Sequence, residues 1–145
     1  LSADRDYAAA LQAYLLLAAK ENISDAQRAD SLKAAIQLAL QLDNTELAAE
    51  LVERVLLPGF RELEHMRVMG KQRQWTELLG FYGETDFEVF PIIVRGDCYQ
   101  LRAEALERTG RREPALADYR RALRYTQDRR ARGKLEAKLE SFDGQ

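Results

Sequence analysis

The chain has 145 residues and a mass of 16.6 kDa, the size of one domain that buries about 70% of its unfolded surface. Ala, Leu, Glu, Arg and Lys supply 79 residues, and Val, Ile and Thr only 14, which is the balance of an all-helical protein short of strand formers. With 46% apolar and 32% charged residues, 8 Gly, 3 Pro and a net charge of −2, the totals exclude disordered and collagen-like classes and count against a strongly basic nucleic-acid-binding domain.

The first predicted helix covers residues 4–20. Tyr7, Ala10, Leu11, Tyr14, Leu17 and Ala18 recur at helical spacing, and Leu15 and Leu16 widen the stripe beyond one face. Ser24 with Gln27 reads as a capping box for a second helix, whose face is Leu32, Ala35, Ile36, Ala39 and Leu40. Asp43 with Glu46 reads as a second box opening a helix with Leu47, Ala48, Leu51, Val52 and Val55, stopped by Pro58 and Gly59. A fourth helix is expected over about 60–69 and a fifth on Trp75, Leu78, Leu79 and Tyr82, closed by Gly83.

Residues 85–94 are the least regular. Phe87, Val89 and the Ile92-Ile93-Val94 run are β-prone, which fits a short extended piece or an irregular loop; a helix with Pro91 in its first turn fits equally. Asp97 after Gly96 reads as the cap of the next helix, which carries Tyr99, Ala103 and Leu106 and ends at Thr109-Gly110. Pro114 lies in the first turn of a helix with Ala115, Tyr119, Ala122 and Leu123, and a last helix carries Ala131, Leu135, Leu139 and Phe142. The total is eight or nine helices.

Four turns invite comparison: Arg5-Asp6-Tyr7, Asp43-Asn44-Thr45, Arg73-Gln74-Trp75 and Gly110-Arg111-Arg112. Each is followed by Ala10, Ala48, Leu78 or Ala115 and then by Tyr14, Val52, Tyr82 or Tyr119, with 38, 30 and 37 residues between successive turns. Over 96–128, Tyr99, Ala103, Leu106, Gly110, Ala115, Tyr119 and Ala122 alternate large and small packing residues. This pattern resembles the tetratricopeptide repeat family. The resemblance implies a right-handed α-solenoid of antiparallel helix pairs across residues 1–145: an unpaired second helix over 4–20, repeats over 24–57, 59–94 (irregular) and 96–128, and a capping helix over 129–142. The period is uneven and no proline closes a repeat. The chain opens on Leu1 with a helix apolar on several sides. It is therefore read as the C-terminal part of a larger protein whose upstream region, or a second copy, covers that helix.

Residues 1–57 hold 5 basic and 9 acidic groups, a balance of −4, whereas residues 91–145 hold 13 and 9, a balance of +4. Eight arginines from Arg111 to Arg132 make the C-terminal third a candidate for acidic partners, set against a solvated face paired with Glu113, Asp118 and Asp128. The longest uncharged run is 13 residues, from Tyr7 to Ala19, too short to span a bilayer.

No constellation promises catalysis, a cofactor or a metal. His65 and Cys98 are the only histidine and the only cysteine. His65 reads as a surface or groove residue, and Cys98 as a small packing residue near a helix start. The carboxylate pairs Glu62/Glu64 and Glu104/Glu107 read as solvated faces, and the Arg95-Gly96-Asp97 tripeptide as a helix cap. Asn22-Ile23-Ser24 fits a glycosylation sequon but is better explained by capping. The family resemblance implies that first helices of the pairs line a concave groove for a peptide or helix of a partner protein. The matching residues are Lys33 and Gln37 with Gln41; Phe60, Leu63, Arg67 and Lys71; and Gln100, Glu104 and Arg108. The alternative is a structural helical module packing against an upstream domain, whether catalytic or not.

Overall fold

The computed structural model describes residues 2–143. Among them there is no strand, and eight α-helices and one 3-10 turn follow one another. The helices are α1 (Ser2–Ala18), α2 (Asp25–Gln41), α3 (Thr45–Glu53), α4 (Phe60–Lys71), α5 (Trp75–Tyr82), α6 (Ile92–Arg108), α7 (Arg112–Tyr125) and α8 (Arg129–Asp143), with the 3-10 turn at Phe87–Val89 before α6. The chain forms two compact units, 1–71 and 72–145.

In the first unit, α1 and α3 both pack on α2. The core is built from one stripe of each helix: Leu11 and Ala18 from α1, Leu32, Ala35, Ile36 and Ala39 from α2, and Ala48, Leu51 and Val52 from α3. Leu15, Leu40 and Phe60 pack around it half-buried. The alanines matter because they let the helix backbones approach closely. α1 covers only one side of itself: Tyr14 and Leu17 each remain 38% exposed and Leu16 70%. The apolar breadth of the 4–20 segment is therefore real surface.

The capping box at Ser24 forms as expected, Ser24 Oγ accepting from Gln27 N at 3.1 Å and Gln27 Oε1 from Ser24 N at 2.9 Å. The second box shifts by one residue. Asn44, not Asp43, caps α3 and accepts from Leu47 N at 3.2 Å. Asp43 instead takes the left-handed conformation, φ 56°, that the end of α2 requires, because Asn44 N must turn back to Ala39 O. The same turn recurs before α5 and α7. Arg73 (φ 58°) and Gly110 (φ 81°) are left-handed, and the N-caps that follow share one backbone conformation: φ −91°, ψ 74° at Asn44, φ −88°, ψ 62° at Gln74 and φ −98°, ψ 76° at Arg111. Arg5-Asp6-Tyr7, aligned with these turns in sequence, lies inside α1.

In the second unit α6 and α7 pack most closely, with α5 on α6 and α8 on α7. Of the two readings open for residues 85–94, the one with Pro91 at the start of a helix holds, and there is no extended strand. One sequence expectation is corrected: α6 starts at Ile92 rather than at Asp97. Pro91, with φ −54°, presets the helical start. The β-branched run follows it into the first turn, where no preceding turn crowds the side chains. Gly96 and Asp97 are thus mid-helix, as is Cys98, which is fully buried. Gly96 has a packing role: a Cβ there would lie 3.2 Å from Thr126 Oγ1 and 3.5 Å from the Tyr125 backbone, so its absence lets α6 approach the end of α7.

A buried ion pair ties this unit together. Arg102 donates from Nε to Asp118 Oδ2 at 2.6 Å and from Nη2 to Oδ1 at 3.1 Å. Its Nη1 reaches Tyr82 O at 3.1 Å and Thr85 O at 2.8 Å. The guanidinium lies 4.3 Å from the centroid of the buried Phe87 ring, and Arg121 Nη1 adds a third bond to Asp118 at 2.7 Å. One arginine thereby satisfies α5's last carbonyl, the Thr85 carbonyl in the turn beyond it and the α7 carboxylate together.

Candidate partner-binding cleft

Three of the residues expected to face a partner meet in one place. Gln100, Glu104 and Arg108 recur every fourth residue along α6, which places them on a single stripe. That stripe lines an open cleft of about 530 Å³. The opposite side of α6, through Ala103 and Leu106, is buried in the unit's core. Tyr119 of α7 and Leu135 of α8, each 2% exposed, give the cleft an apolar floor, and Lys134 and Lys138 of α8 add cations to its wall.

Glu107, also in the cleft, is committed to its neighbours. Its Oε1 accepts from Tyr119 Oη at 2.8 Å and its Oε2 from Lys138 Nζ at 3.1 Å. The Lys138 ammonium also stands 5.7 Å from the Tyr119 ring centroid. Burial pushes the Glu107 carboxyl up, but these two bonds outweigh it and hold it below the ordinary value. Glu104 shifts the other way: burial raises it, and Arg108 and Lys138 only partly offset that. Burial and the Glu107 carboxylate drive the Tyr119 hydroxyl far above the usual phenol range. The cleft thus offers a bound carboxylate, a second carboxylate reluctant to ionise, an exposed Arg108 and an exposed Lys134 around an apolar floor. Such a surface suits a partner segment carrying both an apolar side chain and a charge.

The expected residues on the first unit divide differently. Gln37 and Lys71 are exposed and Lys33 is half-buried. Phe60 packs on the core. Leu63 is only 3% exposed, so its side chain is not presented at the surface. Arg67 donates to Glu64 Oε1 at 2.5 Å, and Glu64, expected on a solvated face, is 3% exposed.

Sequence reasoning found the α6 stripe because of its regular spacing. It missed the α8 lysines, whose alternation with Glu gives no sign of which side faces α6, and Glu107, whose role depends on a tyrosine twelve residues away.

The remaining candidates fall to structural roles. Arg112 donates to Phe142 O, and Arg132 Nη1 to Leu123 O at 2.8 Å and Thr126 O at 2.9 Å, so part of the arginine cluster closes helix ends. Arg120, Arg124, Arg129 and Arg130 remain exposed. His65 is half-buried, and burial lowers its pKa. Among the described residues no group of His, Cys, Asp and Glu is arranged to hold a metal, and no helix is long and apolar enough to cross a membrane. Comparison with known proteins adds no relative: no family profile, curated protein or solved structure matches the chain.

Proposed function

We propose that the chain is a non-catalytic protein-interaction scaffold of the tetratricopeptide-like kind, a right-handed solenoid of antiparallel helix pairs whose first helices hold a peptide or helix of a partner protein. The observation that carries this reading is the α6 stripe: Gln100, Glu104 and Arg108 line one cleft with Lys134 and Lys138 over an apolar floor. The recurrence of one turn, a left-handed residue followed by an N-cap of fixed conformation, before α3, α5 and α7 supports the pairing of helices. The burial of Cys98 and the commitment of Glu107 to Tyr119 and Lys138 favour binding over chemistry.

A displayed library of random peptides, selected against the whole chain, tests the reading. Peptides that bind the wild type are expected to lose affinity about tenfold or more with Arg108→Glu or Lys134→Glu, both exposed positions. Peptides that bind both variants as well as the wild type would place recognition elsewhere, and failure to select any would remove the proposal's support. The second reading, a structural module packed against another domain, is favoured by the exposed Tyr7, Tyr14, Leu16 and Leu17 of α1. It predicts that the library selects nothing at the cleft.

A further inference from the structure

The cleft lined by α6 and α8 is unequally charged. Arg108, Lys134 and Lys138 stand there against two carboxylates, Glu104 and Glu107. That is a surplus of one positive charge, or of two when Glu104 carries a proton. The surplus is not spread evenly. Lys138 Nζ lies 3.0 Å from Glu107 Oε1 and 3.1 Å from its Oε2, so this pair cancels. Glu104, half-buried on the α6 stripe, feels Arg108, Glu107 and Gln100 of its own helix and Lys138 of α8. Arg108 and Lys134 are both exposed, and among the described residues neither side chain is held in an ion pair or a hydrogen bond. Beside them lies the apolar floor of Tyr119 and Leu135.

We infer that the partner segment enters this cleft with one internal acidic side chain, an aspartate or glutamate, held by Arg108 and Lys134, and lays an adjacent apolar side chain on Tyr119 and Leu135. This rests on the cleft being the partner site proposed above, and it fixes the chemistry of what binds there. Three other segments fit less well. A lysine or arginine would enter among three cations, and of the two carboxylates there Glu107 is already bonded by Tyr119 Oη and Lys138 Nζ. A wholly apolar segment would strip water from Arg108 and Lys134 and replace it with nothing. A run of acids would set its second carboxylate against Glu104. The balance of +4 over residues 91–145 steers an acidic segment toward the same part of the chain.

A random-peptide library fused to its display protein through the peptide C-terminus offers no free terminal carboxylate, so any enrichment of acids reports side chains. It is selected against the whole chain. Clones that stop binding when Gln100→Trp fills the cleft are cleft binders whatever their charge. They are expected to share one Asp or Glu next to an apolar residue. Made as amidated peptides, they should lose about tenfold in affinity when that acid becomes Asn or Gln. The loss should vanish against Arg108→Gln/Lys134→Gln, a change at two exposed positions. Glu104→Gln should tighten the acidic peptide about two- to fivefold and leave its amide counterpart unchanged. Cleft binders that are basic or neutral, or an acid-to-amide change without effect, would overturn this inference and leave the cleft as the partner site. A library that yields no cleft binder would overturn both. Circular dichroism of every variant separates loss of contact from loss of fold.

Discussion

Arg102 divides one guanidinium between a carboxylate and two main-chain carbonyls at 10% side-chain exposure, with Asp118 at 2%. Asp118→Ala leaves the buried Arg102 charge without its carboxylate and is expected to cost about 3–5 kcal/mol in urea unfolding, whereas Arg102→Met leaves Asp118 the more exposed Arg121 and is expected to cost less. Arg102→Met/Asp118→Leu should recover only part of this, because Thr85 O still loses the arginine donor and Tyr82 O is left with Thr85 N. Two other carboxylates oppose each other in pH dependence. The hydroxyls of Tyr125 and Tyr99 hold the Glu88 carboxyl below its ordinary value near 4.5. Its contribution to stability is therefore present above about pH 4.5 and is lost as pH falls through the lower folded value. Burial raises Glu104 above the same reference, so its contribution is full below about pH 4.5 and is lost as pH rises through the folded value. Urea midpoints measured from about pH 3 to pH 8 should show Glu88→Gln softening the acid-side loss and Glu104→Gln flattening the opposite slope. Identical profiles for both variants and the wild type would refute the assignment.

The helices themselves were largely legible, because their apolar spacing and their caps speak locally. Ser24→Ala should cost about 0.5–2 kcal/mol, and Asn44→Ala the same, whereas Asp43→Ala removes no cap. The reading failed where one residue type had two local uses. Asp43 and Asn44 both favour caps, and only the left-handed turn at the end of α2 decides between them. Gly96-Asp97 looks like a turn and a cap, yet Gly96 sits mid-helix to admit Thr126 and Tyr125, a contact made across about thirty residues of chain. The recurring turn gives its own check. Gly110, at φ 81°, should lose about 1–2 kcal/mol on change to Ala, and Arg73→Gly, at φ 58°, should gain up to about 1 kcal/mol, both by chemical denaturation. An equal response at the two positions would contradict the shared geometry.

Across the whole chain, each packed pair of elements consists of neighbours in sequence or of two helices with one element between them. Folding therefore closes only short loops, and stopped-flow circular dichroism should show the main refolding phase within milliseconds. A dominant phase of seconds would contradict this. Helical content and the charge gradient could be read at this scale, since both are sums over residues. The cleft could be read only by half: the α6 stripe is periodic, while its α8 wall is set by how a charged helix rotates onto α7. The buried thiol of Cys98 has a practical consequence. It is the chain's one cysteine and is 0% exposed within α6, so a thiol reagent reaches it only when that helix opens. The rate at which intact mass rises by one adduct is then a clock for local opening. Arg102→Met should make that clock run faster, and Ser24→Ala, in the other unit, should leave it unchanged.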